Sequence, residues 1–135
     1  MPHISKYKLS REQIDQLSQS IVDFAFFSKN RTDLQLLFND LLTVTEKIML
    51  GKRIMIAVLI ERGDSYFDIR RRLGVTDSTI SSISERLKAD GRGLRLAMKR
   101  FGRQENINAL LEKFDRTIKE FVRSMPKIAY IPRKK

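Results

Sequence analysis

Residues 72–81 read Arg-Leu-Gly-Val-Thr-Asp-Ser-Thr-Ile-Ser, and this stretch is the strongest indication of how the chain folds. An apolar-spaced helix closes at Leu73, Gly74 turns the chain because glycine tolerates positive φ, and a helix of small residues opens after Thr76. Two helices joined in this way are typical of a helix-turn-helix, here spanning about residues 65–88. In that motif the second helix lies in the DNA major groove, so the pattern bears directly on function.

The second helix of this pattern must bury Ile80 and Ile83 and expose its other positions. The positions expected to face outward are Asp77, Ser78, Ser81, Ser82, Glu85 and Arg86, with Thr79 at the edge. Short hydroxyl side chains let a helix approach base edges closely and form hydrogen bonds with bases or phosphates. The alternative interpretation is a chance Leu-Gly-Val-Thr between two helices of an unrelated helical protein.

A run of three arginines, Arg70 to Arg72, lies on the helix that precedes the turn. In a helix-turn-helix this first helix crosses the sugar-phosphate backbone, so the run can position a duplex without reading its sequence. For Arg71 and Arg72 taken singly, a solvated polar face is an equally good explanation.

The rest of the chain reads as helices joined by short connectors, with no strand signal. Capping signals mark four helix starts: Ser10 with Gln13, Thr32 with Gln35, Thr43 with Glu46, and Ser65. We expect a break at residues 90–93, an interruption at Gly102, and a last helix over about 106–124 with the cleanest apolar stripe of the chain. Residues 1–125 are therefore predicted to form one all-α domain, and residues 126–135 a basic flexible tail.

The net charge of +11 is unevenly distributed over the 135 residues. Residues 91–135 contain thirteen basic and four acidic side chains, whereas residues 1–40 contain five of each. A surplus of this kind indicates a polyanionic partner, with nucleic acid as the first candidate. A solvated basic tail that aids solubility is the alternative, and RNA binding through the basic C-terminal third is a further one.

Several classes of function are not supported by the sequence. No apolar run approaches the about 18 residues of a membrane span, and the polar N-terminus does not resemble a signal peptide, so we expect a cytoplasmic protein. The chain has no cysteine and a single histidine, His3, and it has no glycine-rich phosphate loop of the standard kinds. We therefore predict no catalytic residues, no metal site, no cofactor and no enzyme activity.

Residues 41–88 resemble the tryptophan repressor family. The matching positions, in order, are Leu41-Leu42-Thr43, Glu46, Leu50-Gly51, Arg53, Ile56, Arg62-Gly63, Leu73-Gly74, Thr79-Ile80 and Leu87-Lys88. The resemblance covers about a third of the chain and implies an all-helical bundle that forms an intertwined homodimer. Such a dimer would explain why the predicted helices over residues 10–27 and 106–125 carry more apolar surface than a single chain can bury.

The resemblance also implies a corepressor pocket, of which only part is present. The family's best-known member binds tryptophan between two arginines. One arginine corresponds to Arg53 and a nearby threonine to Thr43, whereas the second arginine is replaced by Ser82. Ile83 stands where the family has a small glycine, and Arg86 stands where it has a serine. We therefore expect a vestigial pocket formed by Thr43, Arg53 and Ile83, with Ile83 as a hydrophobic plug and no binding of tryptophan.

The DNA-facing positions of the family correspond to the second helix and to the helix before it. The residues expected to bind DNA are Arg53, Tyr66, Arg70, Asp77, Ser78, Thr79, Ser81, Ser82 and Arg86. The predicted protein is thus a sequence-specific, nucleoid-associated transcriptional regulator whose partners are double-stranded DNA and a second copy of itself. The rival interpretation is a scaffold protein that uses the apolar stripe of residues 107–125 to hold a partner chain.

Overall fold

The computed structural model describes residues 7–104 and 107–124, and all regular structure in these ranges is helical. The helices are α1 (Arg11–Phe26), α2 (Arg31–Leu41), α3 (Val44–Arg62), α4 (Tyr66–Leu73), α5 (Asp77–Asp90), α6 (Arg92–Gln104) and α7 (Ile107–Ser124). The predicted all-α fold class is confirmed. Among the described residues no helix has the length and apolarity needed to span a bilayer. The predicted tail, residues 126–135, lies outside the described residues.

Most helices begin at the residues that the capping signals indicate. The reciprocal boxes of Ser10 with Gln13 and of Thr43 with Glu46 are both formed. Ser65 caps α4 and Thr76 caps α5. The prediction for α2 was wrong: the side-chain oxygen of Asn30 accepts a hydrogen bond from the amide of Asp33 at 2.9 Å, so the helix begins before Thr32. Asparagine caps helices at least as well as threonine, and here it comes first along the chain.

Two glycines end the helices α3 and α4. At the end of α3, Gly63 has φ +90°, and the amides of Gly63 and Asp64 donate to the carbonyls of Ile60 and Leu59 at 2.9 and 3.0 Å. These two bonds form a Schellman motif. At the end of α4, Gly74 has φ +61° and its amide donates to the carbonyl of Arg70. Both turns require a left-handed backbone that other residues adopt only at a cost.

The C-terminal helices depart from the predicted boundaries. Gly91 alone separates α5 from α6, and α6 continues through Gly102 to Gln104 instead of stopping there. A glycine within a helix costs only about 1 kcal/mol, which packing of the neighbouring residues outweighs. Met98 of α6 and Ile107 of α7 both pack against the core, and a Cβ on Gly102 would lie 3.4 Å from the Ile107 side chain.

The chain divides into two compact units, one ending at Lys47 and the other beginning at Ile48. In the first unit, neither α1 nor α2 has a buried residue. The second unit has a continuous apolar core. Its buried residues are Met55, Ile56, Ala57, Val58 and Leu59 of α3, Ile69 and Leu73 of α4, Ile80, Ile83 and Leu87 of α5, and Leu111 of α7. This core fixes one side of α4 and α5, so the opposite side of each helix is presented to solvent.

Candidate nucleic-acid interface

The junction between α4 and α5 is short, and hydrogen bonds hold its hydroxyl groups. Three residues, 74–76, connect the helices, and the Thr76 side chain accepts a hydrogen bond from the amide of Thr79 at 3.3 Å. The Thr76 hydroxyl also lies 2.9 Å from that of Thr79 and 3.3 Å from that of Ser78. The start of α5 therefore carries three hydroxyls, of which that of Thr76 is hydrogen-bonded to the other two, and each has further capacity to donate or accept.

The exposed side of α5 contains most of the residues predicted to bind DNA. Asp77, Ser78, Thr79, Ser82 and Arg86 are exposed. One position differs from expectation, since Ser81 is half-buried. Ser84, one helical turn later on the same side, is buried, so this edge of α5 turns toward the protein.

Arg70 is held at the junction by two contacts. Its guanidinium donates to the carboxylate of Asp77 at 2.9 Å, and it lies 5.6 Å from the ring centroid of Phe67. The side chains of Arg70 and Asp77 remain 45% and 57% exposed. The pair therefore stays accessible to a partner, and Arg70 compensates the negative charge that Asp77 places at the start of α5. Tyr66, the first residue of α4, is exposed as well.

A cleft of about 260 Å³ lies between α3 and α5, where the vestigial pocket was predicted. Its lining residues are Arg53, Ser78, Thr79, Ser82, Ile83 and Arg86. Ile83 is 7% exposed and belongs to the apolar core, so the cleft borders that core through its side chain. Thr43 belongs to the first unit, where its amide donates to Glu46 at 2.8 Å and lowers the pKa of that carboxyl.

A larger cleft of about 720 Å³ lies between α4 and α7, and the sequence did not indicate it. Its lining residues are Arg62, Asp64, Asp68, Arg71, Arg72, Asp115, Lys119 and Arg123. We refer to it as the α4–α7 cleft. Arg62 donates two hydrogen bonds to Asp64, at 2.7 and 2.6 Å, and Arg72 lies 3.2 Å from Asp115 and 3.8 Å from Asp64. The pair of Arg72 with Asp115 joins residues that are far apart in sequence, for which no local pattern exists.

The carboxylate of Asp64 is the electrostatic centre of that ion-pair group. Hydrogen bonds from Arg62 lower the pKa of Asp64, and the charge of Arg72 acts in the same direction while burial opposes them. The pKa of Arg62 is raised by the same hydrogen bonds. The charged forms of both residues are therefore favoured in the folded protein.

Two basic residues of α6 form ion pairs within the protein. Arg92 pairs with Asp90 at 2.9 Å, and Arg95 pairs with Glu61 at 3.1 Å and donates to the carbonyl of Leu87. Lys99 and Arg100 are exposed. The density of positive charge in the sequence therefore overstates the number of cations on α6 that are available to a partner.

Comparison with known proteins adds an independent finding. A family model described as "Trp repressor protein" matches residues 12–102. The uncharacterized protein YerC of Bacillus subtilis (strain 168) is 28% identical over 93 residues, which cover 69% of this chain and 86% of that protein. No solved structure matches the chain. The family match ends within α6, so α7 and its side of the α4–α7 cleft lie beyond it.

The ion-pair group predicts a pH-dependent contribution to stability. Because the pKa of Asp64 is lowered on folding, its contribution is fully present above the unfolded value of about 4 and is lost as the pH falls through the folded value. We expect Asp64→Asn to reduce the free energy of unfolding by about 1 kcal/mol at pH 7. The difference between the variant and the unaltered protein should shrink below pH ~4, as measured by urea denaturation.

Glu120→Gln is the control, because Glu120 is an exposed α7 carboxylate with no ion pair among the described residues. It should leave stability unchanged at both pH values. An Asp64→Asn effect of equal size at pH 3 and pH 7 would contradict the assignment.

Proposed function

Because the chain belongs to the Trp repressor protein family, whose members are DNA-binding regulators, we propose that it is a sequence-specific transcriptional regulator acting on the nucleoid. In this proposal α4 and α5 form a helix-turn-helix, and α5 lies in the major groove. The observation that carries the proposal is the exposed, hydroxyl-bearing start of α5, fixed by the core beneath it and flanked by Arg70. The +11 net charge supplies the attraction to a polyanion.

The exposed residues divide into two roles according to their chemistry. Ser78, Thr79 and Ser82 are short donors and acceptors that suit base edges and nearby phosphates. Arg70 and the two arginines of the smaller cleft, Arg53 and Arg86, suit phosphate oxygens, and Arg86 can also reach a guanine. Asp77 either accepts from a cytosine amino group or serves to orient Arg70.

The first unit supports the proposal that the active form is a homodimer. The large apolar side chains of α1 and the residue after it are exposed: Ile14, Leu17, Ile21, Val22, Phe24, Phe26 and Phe27. Ile21 is 53% and Phe24 66% exposed, which is costly for a chain alone in water. We propose that a second copy covers this face, and that the two α5 helices of the dimer bind successive major grooves, ~34 Å apart, on an inverted repeat.

The cleft between α3 and α5 favours DNA binding that is independent of tryptophan. Ile83 occupies its inner end as part of the core, and Ser82 and Arg86 replace the arginine and serine that the family resemblance leads one to expect. The side chain of Ile83 takes up space that the family's glycine would leave to an indole ring. We propose that Ile83 fixes the orientation of α5 in place of a bound ligand.

The rival scaffold function loses support from the packing of α7. Leu111 is buried, and Ile107, Leu110 and Phe114 pack against the core of the second unit. The described part of the stripe therefore already has an intramolecular partner, which removes much of the docking face that a scaffold would need.

Selection of bound sequences from a random duplex pool, without tryptophan, tests the proposed function. We expect enrichment of an inverted repeat whose halves are about one helical turn apart. Arg70→Gln should weaken binding to all duplexes alike and reduce the salt slope of log K by about 2, because it removes one phosphate contact from each protomer of the proposed dimer. Ser78→Ala should instead change the preferred base, with about 1 kcal/mol of lost discrimination.

Arg31→Gln is the control for Arg70→Gln, since it removes the same charge from an exposed position on α2. Its binding should match that of the unaltered protein. Absence of any enriched sequence, together with stronger binding to competing RNA than to DNA, would contradict the proposal.

Titration calorimetry with tryptophan tests the independence from a corepressor. We expect no binding at ligand concentrations up to about 1 mM, and the same DNA affinity with and without tryptophan. The reason is that the buried side chain of Ile83 lines this cleft at the position where the family resemblance implies a glycine. A dissociation constant in the micromolar range would refute this part of the proposal.

Light scattering coupled to size-exclusion chromatography tests the dimer. We expect twice the mass of one chain for the unaltered protein. Ile21→Glu should shift it toward the mass of a single chain, because it places a charge in the apolar face of α1. Gln16→Glu introduces the same charge beside that face and should leave the mass unchanged. A single-chain mass for the unaltered protein would instead favour the scaffold function.

A further inference from the structure

We propose that the α4–α7 cleft is a second DNA-backbone site, in which Arg71, Lys119 and Arg123 bind phosphates of the strand that passes α4. This inference rests on the proposed function and extends it, since it assigns a role to a helix that lies beyond the family match. Arg71 belongs to the arginine run that the helix-turn-helix pattern places near the DNA backbone, whereas neither that pattern nor the family resemblance predicts a contact with DNA for Lys119 and Arg123.

The charges in the cleft separate into a paired group and an unpaired group. Arg62 and Arg72 are neutralised by Asp64 and Asp115, which they contact at 2.6 and 3.2 Å respectively. The third carboxylate, Asp68, accepts a hydrogen bond from the Ser65 hydroxyl at 2.7 Å.

The remaining cations of the cleft are Arg71, Lys119 and Arg123. They form no ion pair within residues 7–104 and 107–124, and all three are exposed. A group of unpaired, exposed cations on two neighbouring helices creates a positive potential that attracts an anion.

The position of α4 connects this cleft to the proposed reading surface. At one side of α4, Arg70 contacts Asp77 at the start of α5, and two residues later Arg72 contacts Asp115 of α7. Arg71 lies between these two contacts in sequence and lines the cleft. The first helix of a helix-turn-helix follows the sugar-phosphate backbone, so a strand lying along α4 would meet α7 next.

The cleft suits an extended chain of phosphates better than a compact anion. It is open, with a volume of about 720 Å³, and its carboxylates disfavour a small anion at its centre. Lys119 and Arg123 are four residues apart, which is about 6 Å along a helix. Phosphates of one DNA strand advance ~3.4 Å per nucleotide along the duplex axis, so the two side chains span about two steps.

α7 is held firmly enough to act as part of a binding surface. Leu111 is 3% exposed, and its helix is joined to α4 by the ion pair of Arg72 and Asp115. Lys119 and Arg123 follow on the same helix within four turns of these anchors. A preorganised cation gains more from a phosphate contact than one on a mobile segment, because less conformational entropy is lost.

The test compares two double variants of α7 that remove the same charge. Lys119→Gln with Arg123→Gln removes the cations of the cleft, whereas Lys113→Gln with Arg116→Gln removes two exposed cations that do not line it. Binding to a random-sequence duplex of about 40 base pairs, long enough to extend past two half-sites, is measured by fluorescence anisotropy over a range of salt concentrations. We expect the first double variant to reduce the slope of log K against log salt by about 4, because two cations are lost from each protomer of the proposed dimer, and the control to leave the slope unchanged.

Each other outcome has a defined meaning. Equal slopes for the two double variants would overturn the inference while leaving the proposed function intact, provided that the unaltered protein binds the duplex. If the unaltered protein does not bind DNA, the proposed function and the inference fail together.

Calorimetric titration with inorganic phosphate, and a parallel series with duplex RNA, distinguish other ligands. Phosphate binding that is lost in the first double variant, with unchanged DNA slopes, would show a small-anion site instead. A slope difference seen with RNA alone would likewise overturn the assignment to DNA.

Discussion

The packing of α3, α4 and α5 around one apolar core is the interaction on which the rest of the structure depends. Ile56 and Leu59 of α3, Ile69 and Leu73 of α4, and Ile80 of α5 are the largest fully buried side chains. Burial of each contributes on the order of 2 kcal/mol, before the entropy of ordering is subtracted. This core sets the rotation of α5 about its own axis, and so decides which hydroxyls face outward. The surface chemistry of the candidate interface is therefore a consequence of residues that no ligand touches.

The helix starts and the outward face of α5 could be predicted because their sequence signals are local. The helix starts at Ser10, Thr43, Ser65 and Thr76 each follow from a side chain that bonds an amide three residues away. The outward face of α5 followed from apolar spacing in the same way. The error at Asn30 arose from two good caps competing within three residues, and the error at Gly102 arose because tertiary packing overrides a weak local preference.

The α4–α7 cleft could not be predicted, and the reason is physical. It depends on Arg72 meeting Asp115 across forty-three positions of chain, and sequence periodicity says nothing about which helices are neighbours. The net charge likewise did not predict which cations are available to a partner. Arg62, Arg72, Arg92 and Arg95 all form ion pairs within the protein, so the cations that remain available are fewer and more localised than the composition indicates.

Gly91 is the one residue that connects α5 to α6, the last two helices of the family-matched region. It is buried, and a Cβ at this position would lie 2.8 Å from the guanidinium of Arg95 and 3.0 Å from Leu87. Arg95 also donates to the Leu87 carbonyl at 3.0 Å, and this hydrogen bond connects α6 to α5. Any side chain larger than that of glycine at position 91 would therefore have to displace Arg95 or Leu87. The angle between α5 and α6 thus depends on a position that has no side chain of its own.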